Sequence, residues 1–463
     1  TRLGHDFLRE YLLQAPDSLR QADMWQYLRS EIDGRDREQR CLRGRHFAII
    51  DEVDSVLIDY ARRPISIAQP AASQRDPQLY SVCRRSARQD LAEREDYTLD
   101  NIRRRATLTD RGKRKVRELA GEHAHQHLME AEWQERVEEA LAAEHLLRRG
   151  EHYVVREGRA ELVDQVSGRL MLGQRLGGEL HQALEAKENV PVQPRQEVVK
   201  KVTVQSLIRS YANLAGMTAT AWEAREEFHG VYEMNIVRFP PRTQVRQDWR
   251  PDVFFRQPED RLRAVAEEVK ELHRAGRPVL VGTWAVAESH DLSELLNRAG
   301  VPHEVLNAVD HKNEASIIAH AGEKGRVTVA ANMAGRGVEI PLGEGVEELG
   351  GLCTIGAGRH LIARADKQLA GRCARRGAPG RTGFYTSLED DIFKALPDRR
   401  RKRLLRKYDG MGSGAQTSKE LSRLVHWCQE QFRRRYAAVR RMLLVKDLSV
   451  EKTEDILFGQ DKL

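Results

Sequence analysis

Three acids close a short apolar run, where Phe47-Ala48-Ile49-Ile50 gives way to Asp51, Glu52 and, two positions on, Asp54. A run that short, bounded by charge, predicts a strand buried on both faces. In open α/β sheets, ligands sit at the carboxyl ends of strands. Adjacent acids there suit a Mg-nucleotide site, with Asp51 in the Mg²⁺ shell and Glu52 orienting or deprotonating an attacking water. The same residues also read as an acidic turn after a buried strand, and taken alone this stretch favours the turn.

Two further groups of residues bear on the choice. Ser210 to Ala221 (SYANLAGMTATA) gathers small and hydroxyl residues, Thr218 and Thr220 among them, after a helical pattern. Such a segment can relay between an acidic site and a partner domain, or simply form a tight helix–strand turn. Asp366 to Gly377 (DKQLAGRCARRG) sets Arg372 and Arg375 three positions apart. On a helix that spacing puts both guanidiniums on one face, where they can neutralise charge developing on a phosphate presented by a facing domain. Arg376 beside them fits a plain basic surface equally well. The joint order, acidic strand end, hydroxyl segment and paired arginines, is that of a two-lobed ATP motor.

The elements that would position these residues alternate. Residues 1–45 read mostly as helix, with Phe7, Leu8, Tyr11 and Leu12 on one face. After Asp59 a Pro-rich stretch (ARRPISIAQPAASQRDP) marks a crossing into a separate unit. That unit holds a strand-like Leu99–Leu108, a helix capped by Thr109 or Asp110, and a long helical pattern from His123 to Arg149. His123, His125, His127 and His145 alternate along that pattern and cannot share one face, which argues against a metal cluster. Tyr153–Val155 and Glu161–Val163 read as a hairpin turning at Glu157-Gly158. From about Gln244 to Leu396, helical patterns alternate with PVLVGTW, HEVLN, VTVAAN, GLCTIGA and FYTSL, implying a mostly parallel sheet. Beyond Pro397 the chain is basic and helical; Trp427, Cys428, Phe432 and Met442 suggest the packing face of a helix over Leu421–Leu444.

Composition bounds the classes. The chain has 463 residues, 32% of them charged and 40% apolar, so a core-forming protein of two to four domains is expected. No apolar run approaches the ~18 residues of a membrane span, and TRLGHDFLREYLL lacks the order of a signal peptide. Five scattered cysteines with no CxxC pair argue against a zinc site or a disulfide framework and fit a reducing cytoplasm. The net charge of +7 has its basic runs at Arg103–Arg105, Arg399–Arg403 and Arg433–Arg435, solvated helix faces or contacts to anionic partners. Few aromatic residues accompany those runs, which counts against a single-strand nucleic-acid platform.

At this point the sequence resembles the SecA family, the ATP-driven motors of bacterial protein export. DEVDSVLIDYARRP resembles the family's acidic motor segment. REDYTLD, TLTDRG, HYVVREG and GRLMLGQRLGGELHQALEAKE resemble its inserted preprotein-binding domain, which a generic helicase lacks. LAGMTATA, VLVGTWAVAES, VLNAVDHKNEASIIAHAG, NMAGRGVEI, GGLCTIGAGRH, the Gln368 helix and TSLEDDIF resemble the rest of the motor, and Arg433–Asp447 the start of its helical scaffold. The implied fold is α/β, with two RecA-like lobes of the P-loop NTPase type, the first incomplete, an inserted α+β domain and a C-terminal helical segment. The implied domains are 1–66 for the first lobe, 67–200 for the insertion, 201–240 for the return to the first lobe, 241–396 for the second lobe and 397–463 for the scaffold.

The resemblance also implies cofactors, partners and residue roles. The cofactors are ATP and Mg²⁺, with Asp51 the metal-associated acid and Glu52 the catalytic base. Thr218 and Thr220 belong to a coupling motif. Gly335, Arg336 and Glu339 approach the nucleotide from the second lobe, and Arg372 and Arg375 are arginine-finger candidates. The implied partners are unfolded preprotein, the Sec translocon channel and anionic phospholipid; a homodimer is among the assemblies it allows, and no nucleic acid is expected. The implied place is the cytoplasm and the cytoplasmic face of the inner membrane. The sequence departs from the family at Ala219, Ala331, Glu339, Ala370, Ala374 and Ala378, which thins the polar network between lobes. No GxxxxGK[ST] phosphate loop occurs in these residues. The family carries that loop before the segment resembling Thr1–Glu10, so the chain, which opens on Thr, reads as a fragment with weak hydrolysis of its own. A preprotein- or channel-binding protein without turnover is the alternative, and a nucleic-acid helicase a third reading.

Overall fold

The computed structural model describes residues 3–8, 44–70, 77–100, 105–125, 130–163, 170–171, 174–194, 196–306, 314–331, 338–412 and 414–458. The chain divides into two compact units. The first comprises Thr1–Gln69, Val198–Trp284 and Glu288–Leu463; the second comprises Pro70–Glu197 with Ala285–Ala287.

The first unit begins with a helical stretch at residues 3–8, whose Leu8 is buried against Val202 and Leu207. Tyr11 and Leu12 lie outside the described residues. Strand β1 (Phe47–Asp51) follows, and β2 (Ile65–Pro70) leads out of the unit. β1 was expected to be buried on both faces. Instead Phe47 and Ile49 are exposed, at 58% and 65%. The reason is its pairing: among the described residues β1 belongs to a two-stranded sheet, so its outward-facing side chains meet no second layer.

The second unit opens with α1 (Pro77–Arg85). Leu99–Leu108, expected as one strand, is two: β3 (Tyr97–Asp100) and β4 (Arg105–Leu108), paired antiparallel. Thr109 caps α2 (Asp110–His125), its Oγ1 accepting from the Gly112 amide at 3.1 Å. The single helix expected over His123–Arg149 is likewise two. α2 ends at His125, and α3 (Glu130–Leu146) carries the buried Trp133, Val137 and Leu141 at the centre of the unit's core. His127 is outside the described residues. β5 (Tyr153–Arg156) and β6 (Arg159–Leu162) form the expected hairpin. Glu157 and Gly158 both have positive φ, 50° and 72°, the mirror-image turn whose twist matches paired strands. α4 (Leu180–Lys187) packs on α3, and Lys187 Nζ donates to the Ala143, Glu144 and Leu147 carbonyls at 2.9, 3.1 and 2.7 Å, closing the open end of α3.

β7 (Gln196–Val202) returns the chain to the first unit and pairs with β2. α5 (Val204–Arg209), β8 (Asn213–Met217) and α6 (Arg225–Tyr232) follow. β8 lies parallel to β1, with Asp51 opposite Met217. Val53, Leu57, Ile58, Ile208 and Phe228 close a small core beneath this pair.

The rest of the first unit is an α/β layer. After the short β9 (Arg246–Trp249) and β10 (Val253–Phe255) comes α7 (Pro258–Arg274). Pro258, Glu259 and Asp260 start this helix, and His273 and Arg274 end it, as the helix dipole favours. Leu262, Val265, Ala266, Val269 and Leu272 form its buried stripe. β11 (Val279–Thr283), α8 (Val286–Arg298), β12 (Glu304–Leu306), α9 (Glu314–His320), β13 (Val327–Ala331), β14 (Leu352–Ala357), α10 (Ala363–Ala370) and β15 (Pro379–Ser387) continue the alternation. α11 (Asp398–Lys407), the two-residue β16 (Gln416–Thr417) and α12 (Lys419–Phe458) complete the chain.

The sheet runs β12-β13-β11-β14-β15-β10-β16, with β9 also on β15 and only β16 antiparallel. β11, β13 and β14 are buried at every position, as unbroken apolar runs in a parallel sheet must be. α12 docks on this layer through Leu421, Val425 and Cys428. Trp427 and Met442, expected on that packing face, are 40% and 64% exposed, because the buried face of the helix runs through Leu421, Val425, Cys428, Arg440 and Leu444. Among the described residues, no helix is long and apolar enough to cross a membrane.

Candidate functional site

β1 and β8 end side by side, so their carboxyl ends bring Asp51 and Glu52 next to Thr218 and Thr220. Asp51 is exposed, and its Oδ1 accepts from the Glu52 amide at 2.8 Å. Glu52 takes a left-handed backbone, φ 48°, which turns the chain off the strand. The turn drives Val53 and Asp54 inward. Gly216 makes room for them: a Cβ there would stand 2.7 Å from the Val53 side chain.

Asp54 is fully buried and is the hub of the site. Its Oδ1 accepts from Thr218 Oγ1 at 2.8 Å, and its Oδ2 from Thr220 Oγ1 at 2.7 Å. From α10, Gln368 Nε2 donates to the same Oδ2 at 3.1 Å and Arg364 Nη1 at 3.3 Å. Gln368 also reaches Thr220 Oγ1 at 3.1 Å. The other arm of Arg364 is ion-paired with Asp59. Burial alone would pull the Arg364 guanidinium down, but Asp59 and Asp54 hold it above its ordinary value. Lys367, between them, pairs with Glu223. The hydroxyl segment is thus bolted to α10 through one buried carboxylate.

Arg364 went unnamed in the sequence analysis, and Asp54 and Gln368, though named there, were given no role. Their signal was there: Arg364 and Gln368 are four apart on ARADKQLA, hence on one helix face. Arg372 and Arg375 were expected to share that helix and do not. α10 stops at Ala370, Gly371 follows it, and Ala374 and Arg376 take left-handed backbones, φ 54° and 53°. A helical face is lost in such a turn. Arg372 is buried, and its Nη1 donates to the Val338 carbonyl at 2.6 Å. Arg375 is exposed, and its Nε donates to the Gly371 carbonyl at 2.7 Å. Glu339 meets Arg376, with 2.6 Å between Oε2 and Nη2. Gly335 and Arg336 lie outside the described residues.

A second polar cluster lies behind α10. Asp366 Oδ1 accepts from the His360 amide at 2.9 Å; its Oδ2 accepts from Arg359 Nη1 at 3.1 Å and from Gln429 Nε2 of α12 at 2.7 Å. Arg359 is also ion-paired with Asp252. Farther along α12, Arg440 Nη2 meets Glu227 Oε2 at 2.6 Å, and Asp447 Oδ2 accepts from the amide and hydroxyl of Thr203 at 2.9 and 2.7 Å.

Among the described residues, no group of three or more His, Cys, Asp or Glu side chains is placed to hold a metal ion. A single exposed carboxylate at a strand end fits Mg²⁺ that arrives with phosphate oxygens and water, which is how nucleotide sites commonly bind it. Asp51 fits that part.

The SecA DEAD-like domain matches residues 2–229, and the SecA P-loop domain matches 243–348 and 343–412. The protein translocase subunit SecA of Clostridium perfringens is 38% identical over 424 residues, 92% of this chain and 50% of that protein. That of Nitratidesulfovibrio vulgaris is 40% identical over 422 residues, 91% and 50%. That of Heliobacterium modesticaldum is 37% identical over 460 residues, 99% and 51%. The chain therefore spans about half the length of the curated relatives it matches. With the two SecA domains in order along it and the inserted unit between the halves of the first, the chain belongs to the SecA family.

Proposed function

We propose that this chain is motor machinery of a SecA-type protein translocase, coupling ATP binding and hydrolysis to the passage of unfolded preproteins through the Sec membrane channel. The observation that carries the reading is the buried junction at Asp54. It joins the acidic strand end and the hydroxyl segment to a helix of the P-loop domain, so whatever shifts one shifts the other.

In this reading Mg-ATP supplies the phosphoryl group transferred to water. Asp51 would hold the metal through its water shell, and Glu52 would orient the attacking water and take its proton. Thr218 and Thr220 keep Asp54 oriented toward α10. Arg372 fixes the 338–339 segment, and Glu339 and Arg376 brace it from outside. The inserted unit is the part that grips preprotein. Anionic phospholipid and the channel are met at the cytoplasmic face of the inner membrane, and nucleic acid is not a partner.

A second reading, a preprotein- or channel-binding protein without turnover, draws on Arg372 and Arg375. Both finger candidates are engaged by backbone carbonyls. Mg-ATP binding and turnover separate the two, measured on this chain and on a form extended upstream. Turnover abolished by Glu52→Gln supports the motor. No ATP binding by either form overturns it.

A further inference from the structure

We propose that Gln429 is a positioning residue: through it the long helix α12 sets the pose of α10 and hence the strength of the Asp54 junction. The inference rests on the motor reading for its functional meaning, but its structural content stands apart from turnover.

α10 works on two sides. Arg364 and Gln368, four residues apart, address Asp54 and Thr220. Asp366 lies midway between them, about 200° around the helix from each, and faces α12. It is 2% exposed and collects donors from Arg359, the His360 amide and Gln429. Arg359 and His360 belong to the loop that leads into α10 itself. Gln429 is the donor among these that comes from another helix.

The amide of Gln429 is used for its donors. Its Nε2 spans Asp366 Oδ2 at 2.7 Å and the His360 carbonyl at 2.9 Å, pinning the helix and the loop before it together. Its Oε1 is buried with no hydrogen-bond partner among the described residues. An orphaned buried acceptor is costly, so a residue kept for packing alone would be better apolar. The neighbours on α12 that do only packing, Val425 and Cys428, are apolar or nearly so.

The far side of the lever is also on α12. Arg440 grips Glu227 of α6, and Asp447 caps α5 through Thr203. Arg440 is 11 positions from Gln429, three turns of one unbroken helix. A shift of α5 or α6 along α12 therefore reaches Asp366 through Gln429, and α10 passes it to Asp54. That route runs parallel to the direct contact of Arg364 and Gln368 with Asp54.

The test uses a double-mutant exchange in the chain, with hydrogen exchange of the α10 amides as the first readout. Gln429→Glu sets a carboxylate against Asp366 and should speed α10 exchange about tenfold relative to β11 and β14. Adding Asp366→Asn should restore it, because the amide introduced on α10 can donate to the carboxylate introduced on α12 while Arg359 keeps Asp252. In the form that turns over ATP, Gln429→Glu should change kcat with KM for ATP nearly unchanged, and the second substitution should restore kcat. If Gln429→Glu does not fold, Gln429→Met keeps the volume and removes the donors, and the same α10 acceleration is expected. Unchanged α10 exchange in a folded variant overturns the proposal. So does acceleration that Asp366→Asn fails to reverse, or acceleration spread evenly over the sheet. No ATP binding by the chain or by its upstream-extended form overturns the motor reading, while the exchange result still decides the role of Gln429.

Discussion

Arg364 stands between Asp54 and Asp59, reaching two carboxylates that lie 310 and 305 positions earlier in the chain. All three residues are buried. Removing one partner of a buried charge group leaves the others uncompensated, which is why such groups are costly to break. Arg364→Ala should lower the stability of the first unit by about 3–5 kcal/mol, and Arg364→Lys, with one compact donor group instead of a fork, by less. Urea unfolding of the two variants checks the order. Equal, small losses would mean that the ion pairs do not hold the junction.

Thr220 and Thr218 both donate to Asp54, but Thr220 is the more buried and also accepts from Gln368. Replacing it by Val keeps the shape and strips the hydroxyl. Thr220→Val should cost about 1–3 kcal/mol, and Thr218→Val less. Thermal unfolding compares them, and the reverse order would show that the Gln368 link carries little.

Gly216→Ala places a methyl group against Val53, one residue before Asp54. The expected loss is about 1–3 kcal/mol from overpacking, with weaker protection of the α10 amides, because Asp54 must move with its neighbour. Hydrogen exchange at α10 reads that coupling; loss of stability with α10 untouched would count against it.

Arg372 and Arg375 should behave differently. Arg375 is exposed, so Arg375→Ala should change stability by no more than about 0.5 kcal/mol. Arg372 is buried on the Val338 carbonyl, so Arg372→Ala should cost about 1–3 kcal/mol. Any fall in ATP turnover on Arg375→Ala at unchanged melting temperature identifies it as a finger. Unchanged turnover removes it from that role.

The second unit has its own pH response. Burial, with Arg175 nearby, pushes His181 down from 6.5 to about 4. The folded state therefore binds this proton more weakly than the unfolded chain. Stability is retained above the unfolded value, falls as pH drops from 6.5 toward about 4, and then levels off. The full effect is about 3 kcal/mol. Hydrogen exchange of α4 at about pH 7 and about pH 4.5, corrected for intrinsic rates, measures it. His181→Gln should flatten the slope, and an equal slope in the variant would assign the effect to other groups.

Local pattern carried the α/β layer well. Val279–Thr283, Val327–Ala331 and Leu352–Ala357 are unbroken apolar runs, and such runs have one common solution when helices alternate with them. The same reasoning failed on Phe47 and Ile49, whose burial depends on what lies beyond the pair of strands. Arginine spacing misled because Gly371 ends α10 before Arg372, a stop signal that outweighs periodicity. Trp427 and Met442 were expected on the packing face of α12, but they are 40% and 64% exposed, because that face is set by period. The spacing of Arg364 and Gln368 shows that they share a helix face but not what that face meets, because their pairing with Asp54 runs across 310 and 314 positions.

β2 and β7 are hydrogen-bonded neighbours, so the polypeptide departs for its insertion and comes back at nearly the same place. A segment bounded in this way can be excised and the gap closed by a few residues. The insertion is then a replaceable cartridge: a lineage could acquire, trade or discard it in one genetic event without redesigning the unit that carries it.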